Sequence, residues 1–239
     1  MHRFYVDCIN QQMAVLSAED SHHALKVLRL SRGDTVEVIC QGKRYRAILK
    51  DEGQLKVLEE LSSTEAALRI TLFQGLPKAD KMDWIVQKAV EIGVHRIVPV
   101  IMSRCVVRLS PQDGEKKQVR WARIAREAGK QSGRCILPEI SSPVSFQLLP
   151  SLVADLEACV VPWEEIHTSG PLSFLNAHPH ISSLGILIGP EGGISPSEIT
   201  ALKGIFQPLT LGPRILRTET AGLAAAAAFL ALRGEMEHS

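Results

Sequence analysis

The chain has 239 residues, of which 45% are hydrophobic and 22% charged, a globular composition that allows one large domain or two modest ones. Its formal net charge of +1 argues against a uniformly basic nucleic-acid binder. No apolar run reaches about 18 residues, and Met1–Phe4 is unlike the start of a signal peptide, so we expect neither a membrane segment nor a signal peptide.

The first 68 residues have the pattern of a small β-barrel. The alternating runs Thr35–Ile39 and Tyr45–Leu49 flank a Gln-Gly-Lys-Arg turn and predict a hairpin, and Leu55–Leu58 predicts another strand. One helix is expected between Ser17 and Leu30, with Ser17 as its N-cap. The polar stretch Glu59–Leu68 lacks strong periodicity and is interpreted as a linker.

From Arg69 onward the sequence alternates between strand and helix patterns. Such alternation predicts a parallel sheet covered on both faces. The expected strands are Ile70–Phe73, Ile97–Val100 and Ala158–Val161, and the expected helices are one ending at Gly93 and one over residues 115–131.

Positive charge is concentrated in residues 104–134, which hold nine Lys or Arg and three Asp or Glu, a local excess of six. This excess has two interpretations: an electrostatic footprint for a polyanion, or the solvated face of a helix.

The stretch from Ile186 to Phe229 organises the rest of the chain. It contains two successive units, each made of a strand, a glycine loop and a helix. Gly189–Gly193 is the loop of the first unit, and Gly212–Arg214 lies in the loop of the second. Ser195–Glu198 has the pattern of a capping box, and an alanine-rich helix is expected from Thr218 to about Leu232. Because such loops lie at one edge of a parallel sheet, the two together predict one small-molecule pocket.

Several common ligand-binding motifs are absent from the sequence, which restricts the classes of ligand that the pocket could bind. The sequence has no G-x-G-x-x-G after its first strand, no P-loop, no G-x-S-x-G and no metal-ligand cluster. The five cysteines are odd in number and widely spaced without a C-x-x-C pair, so we expect free thiols in a reducing cytoplasm and no zinc site. The kind of ligand that remains is a cofactor held mainly by the backbone of the glycine loops, beside a basic surface. S-adenosylmethionine and RNA fit that description, although the spacing of the motifs does not by itself establish either ligand.

The sequences of the two glycine loops are similar to those of a known class of proteins. Gly189–Gly193 with Ser195–Glu198, followed by Leu211–Ala221, resembles the SPOUT class of methyltransferases, and more closely the bacterial 16S ribosomal RNA uridine-N3 methyltransferases, the RsmE family. The resemblance covers nearly the whole chain, with residues 141–183 the least characteristic. Further similar stretches are His22–Gly33, Lys81–Val94, Ser103–Cys105 and Glu127–Arg134.

This resemblance implies an α/β fold in which a parallel-sheet SPOUT domain with a trefoil knot, residues 69–239, follows a PUA-like β-barrel RNA-binding domain, residues 1–68. It also implies a homodimer that binds S-adenosylmethionine and acts on 16S ribosomal RNA of the small subunit. The loop of Pro162, Trp163 and Glu164 would be the third wall of the cofactor pocket. The implied cofactor-binding residues are Pro162, Leu187, Gly189, Pro190, Glu191, Gly192, Leu211, Gly212, Ile215, Leu216 and Thr218.

Roles in the reaction are assigned by chemistry. Arg217 or Arg214 would stabilise negative charge on the uracil oxygens, and Glu219 would accept the N3 proton. Glu219 has a second interpretation, as an acidic residue that favours the first turn of its helix. The RNA-binding candidates are Arg29, Arg104, Arg120, Arg123, Lys130 and Arg134.

Two other functions stay open at this point. One is a non-catalytic RNA-binding or ribosome-assembly protein, and the other is a SPOUT enzyme that acts on another RNA or base.

Overall fold

The computed structural model describes residues 1–237 and divides the chain into two compact units. The first unit comprises Met1–Glu65 together with Gly129–Leu137, and the second comprises Ala66–Ala128 and the chain from Pro138 onward. The break after Glu65 lies close to the predicted domain boundary at residue 68. The sequence pattern did not reveal that Gly129–Leu137 belongs to the first unit.

The first unit is built on a curled five-stranded sheet. Its strand order is β1-β3-β4-β5-β2, with β1 parallel to β3 and the other neighbours antiparallel. The predicted hairpin is confirmed as β3 and β4, and the core between the strands and the helix is apolar. The strands are β1 Arg3–Tyr5, β2 Met13–Val15, β3 Thr35–Cys40, β4 Lys43–Leu49 and β5 Gln54–Leu61.

Two local predictions in this unit need correction. The linker predicted over Glu59–Leu68 is wrong at its start, because β5 continues to Leu61 and Glu59 pairs with Arg46 across the sheet. The helix predicted over Ser17–Leu30 is an α-helix, α1, only over Ala18–His22 and continues as a π-helical turn over His23–Val27. Its cap is confirmed, since the Asp20 amide donates to Ser17 Oγ at 3.0 Å.

The second unit contains a seven-stranded sheet in which every pairing is parallel, as predicted. The strand order is β12-β10-β11-β6-β7-β8, and β9 also pairs with β7. The strands are β6 Arg69–Gly75, β7 Arg96–Ile101, β8 Glu139–Ile140, β9 Val144–Ser145, β10 Ala158–Pro162, β11 Ser183–Ile188 and β12 Gln207–Leu209. The helices of this unit are α2 Lys81–Ile92, α3 Pro111–Ser132, α4 Leu149–Leu152, α5 Pro171–Ala177, α6 Pro196–Leu202 and α7 Thr218–Leu232. The last four residues of α3, from Gly129, belong to the first unit.

The two central strands of this sheet are covered on both faces. Every residue of β11 is buried, which explains its unbroken apolar run. The alanine-rich α7 packs directly on the sheet, because a Cβ built on Gly222 would lie 3.0 Å from Leu72 Cδ1 and 3.3 Å from Ile188 Cγ1. The small residues of α7 therefore allow its backbone to approach the sheet closely.

Within residues 1–237, none of the helices combines the length and apolarity needed to span a bilayer. The trefoil knot stays a prediction.

Candidate functional site

Three neighbouring strands of the second unit end at the same edge of the sheet. Strand β10 lies between β11 and β12, and the three end at Pro162, Ile188 and Leu209. Because these strands are parallel, the loops that follow them converge. The Trp163 amide donates to the carbonyl oxygen of Leu209 at 3.0 Å, so the loop after β10 is bonded to the end of β12.

The loop after β11 is a tight glycine turn. The Gly193 amide donates to the carbonyl oxygen of Pro190 at 2.9 Å, and Gly193 has φ of 71°, a conformation that side chains disfavour. A Cβ on Gly189 would lie 2.8 Å from Ile194 Cγ1. The loop therefore requires its glycines, and it exposes backbone groups to the space beside it.

Helix α6 begins immediately after this loop with the predicted capping box. Ser195 Oγ accepts from the Glu198 amide at 3.3 Å, and the Ser195 amide donates back to Glu198 Oε2 at 2.9 Å. The same carboxylate accepts from the Ser103 amide at 2.8 Å and from Ser103 Oγ at 3.0 Å. Burial alone would raise the pKa of Glu198, but the hydrogen bonds from the Ser103 and Ser195 backbone hold that pKa below its usual value.

Arg104 forms hydrogen bonds with the backbone of the glycine loop and of the residue that follows it. Its Nη1 donates to the carbonyl oxygens of Gly192 at 3.0 Å and Ile194 at 3.4 Å. A Cβ on Gly192 would lie 3.0 Å from Arg104 Cβ, so the two backbones approach closely here. Arg104, predicted to bind RNA, thus also supports the predicted cofactor loop.

The start of α7 is joined to the glycine loop through Thr218. Its Oγ1 donates to the carbonyl oxygen of Gly189 at 2.6 Å and accepts from Gln74 Nε2 at 2.9 Å. Gln74 is fully buried at the end of β6, and Thr218 is 7% exposed. The loops after β11 and β12 are therefore held together by one buried hydroxyl group.

Two clefts adjoin these loops, with volumes of about 350 and 500 Å³. These volumes are in the range of small-molecule sites. The smaller cleft lies between the loops after β10 and β12, and the larger lies between the glycine loop and the start of α7. Both clefts are lined by Pro162, Glu164, Ile215, Leu216 and Ala221.

The clefts bring together nearly all residues predicted to bind the cofactor. The exception is Leu187, which is fully buried within β11 and lines neither cleft. Arg214 lines the smaller cleft, and Arg217 and Glu219 line the larger. The lining residues from the predicted cofactor set are Pro162, Gly189, Pro190, Glu191, Gly192, Leu211, Gly212, Ile215, Leu216 and Thr218.

Lys81 is a site residue that the sequence reasoning missed. Its Nζ lies 3.0 Å from Glu191 Oε1 and 3.0 Å from Glu219 Oε2. The hydrogen bond to Glu191 raises the pKa of Lys81 most, and the hydrogen bond to Glu219 raises it further. A hydrogen bond from its own backbone amide, and then Lys81, lower the pKa of Glu219. A lysine at the start of a helix, where the dipole disfavours a cation, was the available signal that carboxylates lie nearby.

Glu191 is also stabilised as a carboxylate. Burial alone would raise its pKa, but its own backbone amide and then Lys81 lower it. The Lys78 amide donates to Glu191 Oε1 at 3.1 Å, which bonds the glycine loop to the segment before α2. Glu191 and Glu219 are therefore both ionised at neutral pH.

The predicted RNA-binding residues have different environments. Arg123 is exposed on α3. Arg120, also on α3, forms an ion pair with Asp83 and lies 3.8 Å from Asp80, so part of its charge is neutralised locally. In the first unit, Arg29 is exposed and has φ of 56°.

Lys130 and Arg134 are held in ion pairs of the first unit. Lys130 Nζ lies 2.8 Å from Asp20 Oδ1, and the Asp20 side chain is 3% exposed. Arg134 is 4% exposed, and its Nε and Nη2 donate to the Glu65 carboxylate at 3.0 and 2.8 Å. These pairs give both cations a structural role in the first unit, and RNA binding by Lys130 and Arg134 stays a prediction.

The part of the chain that the structure describes contains no group of three or more His, Cys, Asp or Glu that could hold a metal ion.

Family models match both parts of the chain. Residues 64–230 match an RNA methyltransferase domain, and residues 16–60 match an RNA methyltransferase PUA domain. The second match covers most of the curled sheet, and the first covers the parallel sheet and all the loops that line the two clefts.

Curated relatives and solved structures agree with these models. A protein from Bacillus subtilis (strain 168), named ribosomal RNA small subunit methyltransferase E, is 36% identical over 95% of this chain and 95% of its own. A crystal structure of the methyltransferase of that name from Neisseria gonorrhoeae, bound to S-adenosyl methionine, is 32% identical with a TM-score of 0.82 and covers 97% of this chain and 98% of its own. A putative methyltransferase from Legionella pneumophila in complex with SAM is 30% identical with a TM-score of 0.77, covering 97% of each chain. The glycine loops, the parallel sheet and these matches over nearly the full length together show that this chain belongs to the family of the ribosomal RNA small subunit methyltransferases E.

Proposed function

We propose that this protein transfers the methyl group of S-adenosylmethionine to N3 of one uridine in 16S ribosomal RNA. The observation that carries the proposal is the convergence of three loops, after β10, β11 and β12, around two adjoining clefts in a chain of this family. The loops are bonded to one another through Thr218 and Trp163, so the clefts form one preorganised site.

The lining of the clefts fits S-adenosylmethionine. The tight glycine loop presents backbone groups that suit the polar edge of adenine and the methionine end, and Ile215 and Leu216 supply apolar surface. Glu164 lines both clefts, where its carboxylate favours the positively charged groups of the ligand. When bound, S-adenosylmethionine supplies an electrophilic methyl carbon on a sulfonium.

The side chains beside the larger cleft suit the acceptor half of the reaction. Uracil N3 carries a proton and becomes a good nucleophile only as that proton leaves. In the proposed step, the N3 proton passes to a Glu219 carboxylate oxygen while N3 bonds to the methyl carbon. The carbon–sulfur bond breaks with its electron pair kept on sulfur. Arg217 stabilises negative charge on the uracil oxygens, and Arg214 lies beside the smaller cleft.

Two observations support a role for Glu219 as acceptor. It lines the larger cleft, and its pKa is lowered by its own backbone amide and then by Lys81, so it is a carboxylate at neutral pH. Glu219 also lies in the first turn of α7, where an acidic side chain stabilises the helix.

Contact with RNA is proposed for exposed cations in each unit. In the second unit these are Arg104, Arg120 and Arg123, with Arg104 also bonded to the glycine loop. In the first unit Arg29 is exposed in the segment after the π-helical turn. A base paired in RNA must leave its stack before N3 is accessible, which costs a few kcal/mol, and contacts with the surrounding phosphates offset part of that cost.

The assembly and location of the protein are also proposals. We infer a homodimer because α7 leaves Leu232 45% exposed and Ile215, beside the clefts, is 88% exposed, so apolar surface next to the site is uncovered in one chain. A trefoil knot is part of the same proposal. The cytoplasm is the expected location because the proposed RNA substrate is there.

The decisive experiment compares 16S ribosomal RNA from cells with and without this protein by mass spectrometry of its fragments. The proposal expects one uridine to lose a methyl group in the deletion strain and to regain it when the purified protein and S-adenosylmethionine are added. Loss of a modification in another RNA would assign a different substrate. Unchanged modification in every RNA, with RNA binding retained, would indicate a non-catalytic assembly protein.

A further inference from the structure

Lys81 occupies an unusual position for a cation. It is the first residue of α2, where the helix dipole disfavours positive charge. Its side chain is 32% exposed, and its Nζ lies between two carboxylate oxygens at 3.0 Å each. The two acidic partners therefore account for a lysine at this position.

Those two partners come from different walls of the larger cleft. Glu191 is part of the glycine loop after β11, and Glu219 is in the first turn of α7. They lie 110 and 138 residues beyond Lys81 in the chain, so only the folded protein brings the three together. One ammonium group thus connects α2 with the two segments that line the cleft.

We propose that Lys81 is a positioning residue for methyl transfer, which holds the Glu219 carboxylate in place as proton acceptor and fixes the glycine loop against the start of α7. This inference rests on the function proposed above. Lys81 acts through Glu191 and Glu219, and the Thr218 hydrogen bond to Gly189 is a second, independent connection between the same segments.

The charged groups around Glu219 determine how the removal of Lys81 changes the pKa of Glu219. Lys81 faces it from α2, Arg217 precedes it in the chain, and Glu191 and Glu164 line the same cleft from the other loops. The Glu219 backbone amide, Lys81 and Arg217 all lower the pKa of Glu219. Without Lys81, the carboxylates of Glu191 and Glu219 lose their shared cation, and the pKa of Glu219 rises.

The sign of the pH effect follows from this change. A carboxylate accepts a proton only when it is ionised, so methyl transfer slows as pH falls through the pKa of Glu219. A higher pKa in the variant moves this acid limb of the rate profile to higher pH. A role of Lys81 in folding alone would lower the rate without moving the limb.

The experiment measures single-turnover methylation of the RNA substrate against pH, and S-adenosylmethionine affinity by calorimetry, in the full chain. The variants are Lys81→Gln, Lys81→Arg and a matched control, Lys88→Gln, which removes another α2 lysine that pairs with Glu91 at 2.9 Å. We expect Lys81→Gln to slow methyl transfer about ten- to hundredfold and to move the acid limb upward. Lys81→Arg and Lys88→Gln should stay close to wild type in both respects.

A double variant keeps the test informative if Lys81→Gln is also less stable. In a Glu219→Gln background, Lys81→Gln should slow the reaction much less than in the wild-type background, because the group it positions is already altered. A slower Lys81→Gln enzyme with an unmoved acid limb, or one that matches Lys88→Gln, would overturn the inference and leave the proposed function intact. A wild-type protein that neither binds S-adenosylmethionine nor methylates RNA would instead overturn the proposed function.

Discussion

The Thr218 hydroxyl donates a 2.6 Å hydrogen bond to the carbonyl oxygen of Gly189, which joins the start of α7 to the glycine loop. The Thr218 Oγ1 atom also accepts a hydrogen bond from Nε2 of the fully buried Gln74 side chain at 2.9 Å. Three segments, the end of β6, the loop after β11 and the start of α7, are thereby held at one point. The shape of the larger cleft depends on this point because two of these segments form its walls.

Replacing Thr218 with valine tests this arrangement. Thr218→Val keeps the shape of the side chain but removes the donor to the half-buried Gly189 carbonyl oxygen, which costs about 1–3 kcal/mol. It also removes one of the two acceptors of Gln74 Nε2, which retains the Gly75 carbonyl oxygen at 3.1 Å. We expect a lower free energy of unfolding in urea and at least tenfold weaker S-adenosylmethionine binding. Thr218→Ser, which retains the hydroxyl, should preserve both. Equal affinity in the valine and serine variants would mean that the hydrogen bond does not shape the cleft.

Arg217→Ala tests the assignment of the charge-stabilising group. Loss of one donor to a developing oxyanion commonly lowers the rate about 100- to 1000-fold, and we expect a loss of methylation in this range. Binding of S-adenosylmethionine by calorimetry and the dimer content by light scattering should largely persist. Arg233→Ala is a suitable control, because Arg233 donates to the Pro179 carbonyl oxygen at 2.5 Å and lines neither cleft. A normal methylation rate in Arg217→Ala would show that the role is wrongly assigned.

The glycine loop and the start of α6 were predictable because their signals are local. The capping box involves residues only three apart, and the tight turn depends on the glycines themselves. The parallel sheet was predictable for a similar reason, since unbroken apolar strands alternate with helices. The convergence of the loops at one edge followed from the general rule that ligands bind at the carboxyl edge of such sheets, although the loops line two adjoining clefts and the sequence predicted one pocket.

Features that depend on distant partners were not predictable in the same way. Arg134 and Lys130 appear in the sequence as part of a basic cluster, yet each is paired with a carboxylate 69 or 110 residues away. The π-helical turn after α1 replaces a helix that local propensity favours. Lys81 was missed as a site residue because neither of its acidic partners lies near it in the sequence.

Charge reversal at Arg123 tests the proposed RNA surface on α3. Arg123 is exposed, so Arg123→Glu should leave the fold unchanged and weaken RNA binding. If one phosphate contact is lost, the slope of log affinity against log salt falls by about 0.9 for a duplex or 0.7 for a single strand. Filter binding over a salt series measures this slope. Arg123→Gln should have an intermediate effect, and an unchanged slope for Arg123→Glu would mark this face of α3 as solvated only.

Reversal at Arg120 is a less clean test of the same surface. Arg120→Glu would place a carboxylate beside Asp83, whose Oδ1 accepts from Trp121 Nε1 at 3.0 Å. Part of any loss of RNA affinity would then come from a rearranged α2–α3 contact. We therefore expect Arg120→Glu, unlike Arg123→Glu, to lower the melting temperature as well as RNA binding.

The Glu198 carboxylate predicts how stability depends on pH. Because its pKa in the folded protein lies below the usual value of 4.5, the ionised form stabilises the fold above that value. This contribution is lost as pH falls below about 4.5, when Glu198 becomes protonated. Glu198→Gln should be less stable at neutral pH and lose less stability on acidification. Urea unfolding at a series of pH values measures both, and parallel curves for the two proteins would contradict the prediction.

The central claim is that the loops after β10, β11 and β12 hold the methyl donor. A crystal structure of this chain with S-adenosylmethionine tests it most directly. The account predicts density for the ligand in the two adjoining clefts, bounded by Gly189–Gly193 and Leu211–Thr218, with the sulfonium methyl directed toward the space beside Arg217 and Glu219. Ligand bound elsewhere on the chain, with these loops unchanged and unoccupied, would contradict the account.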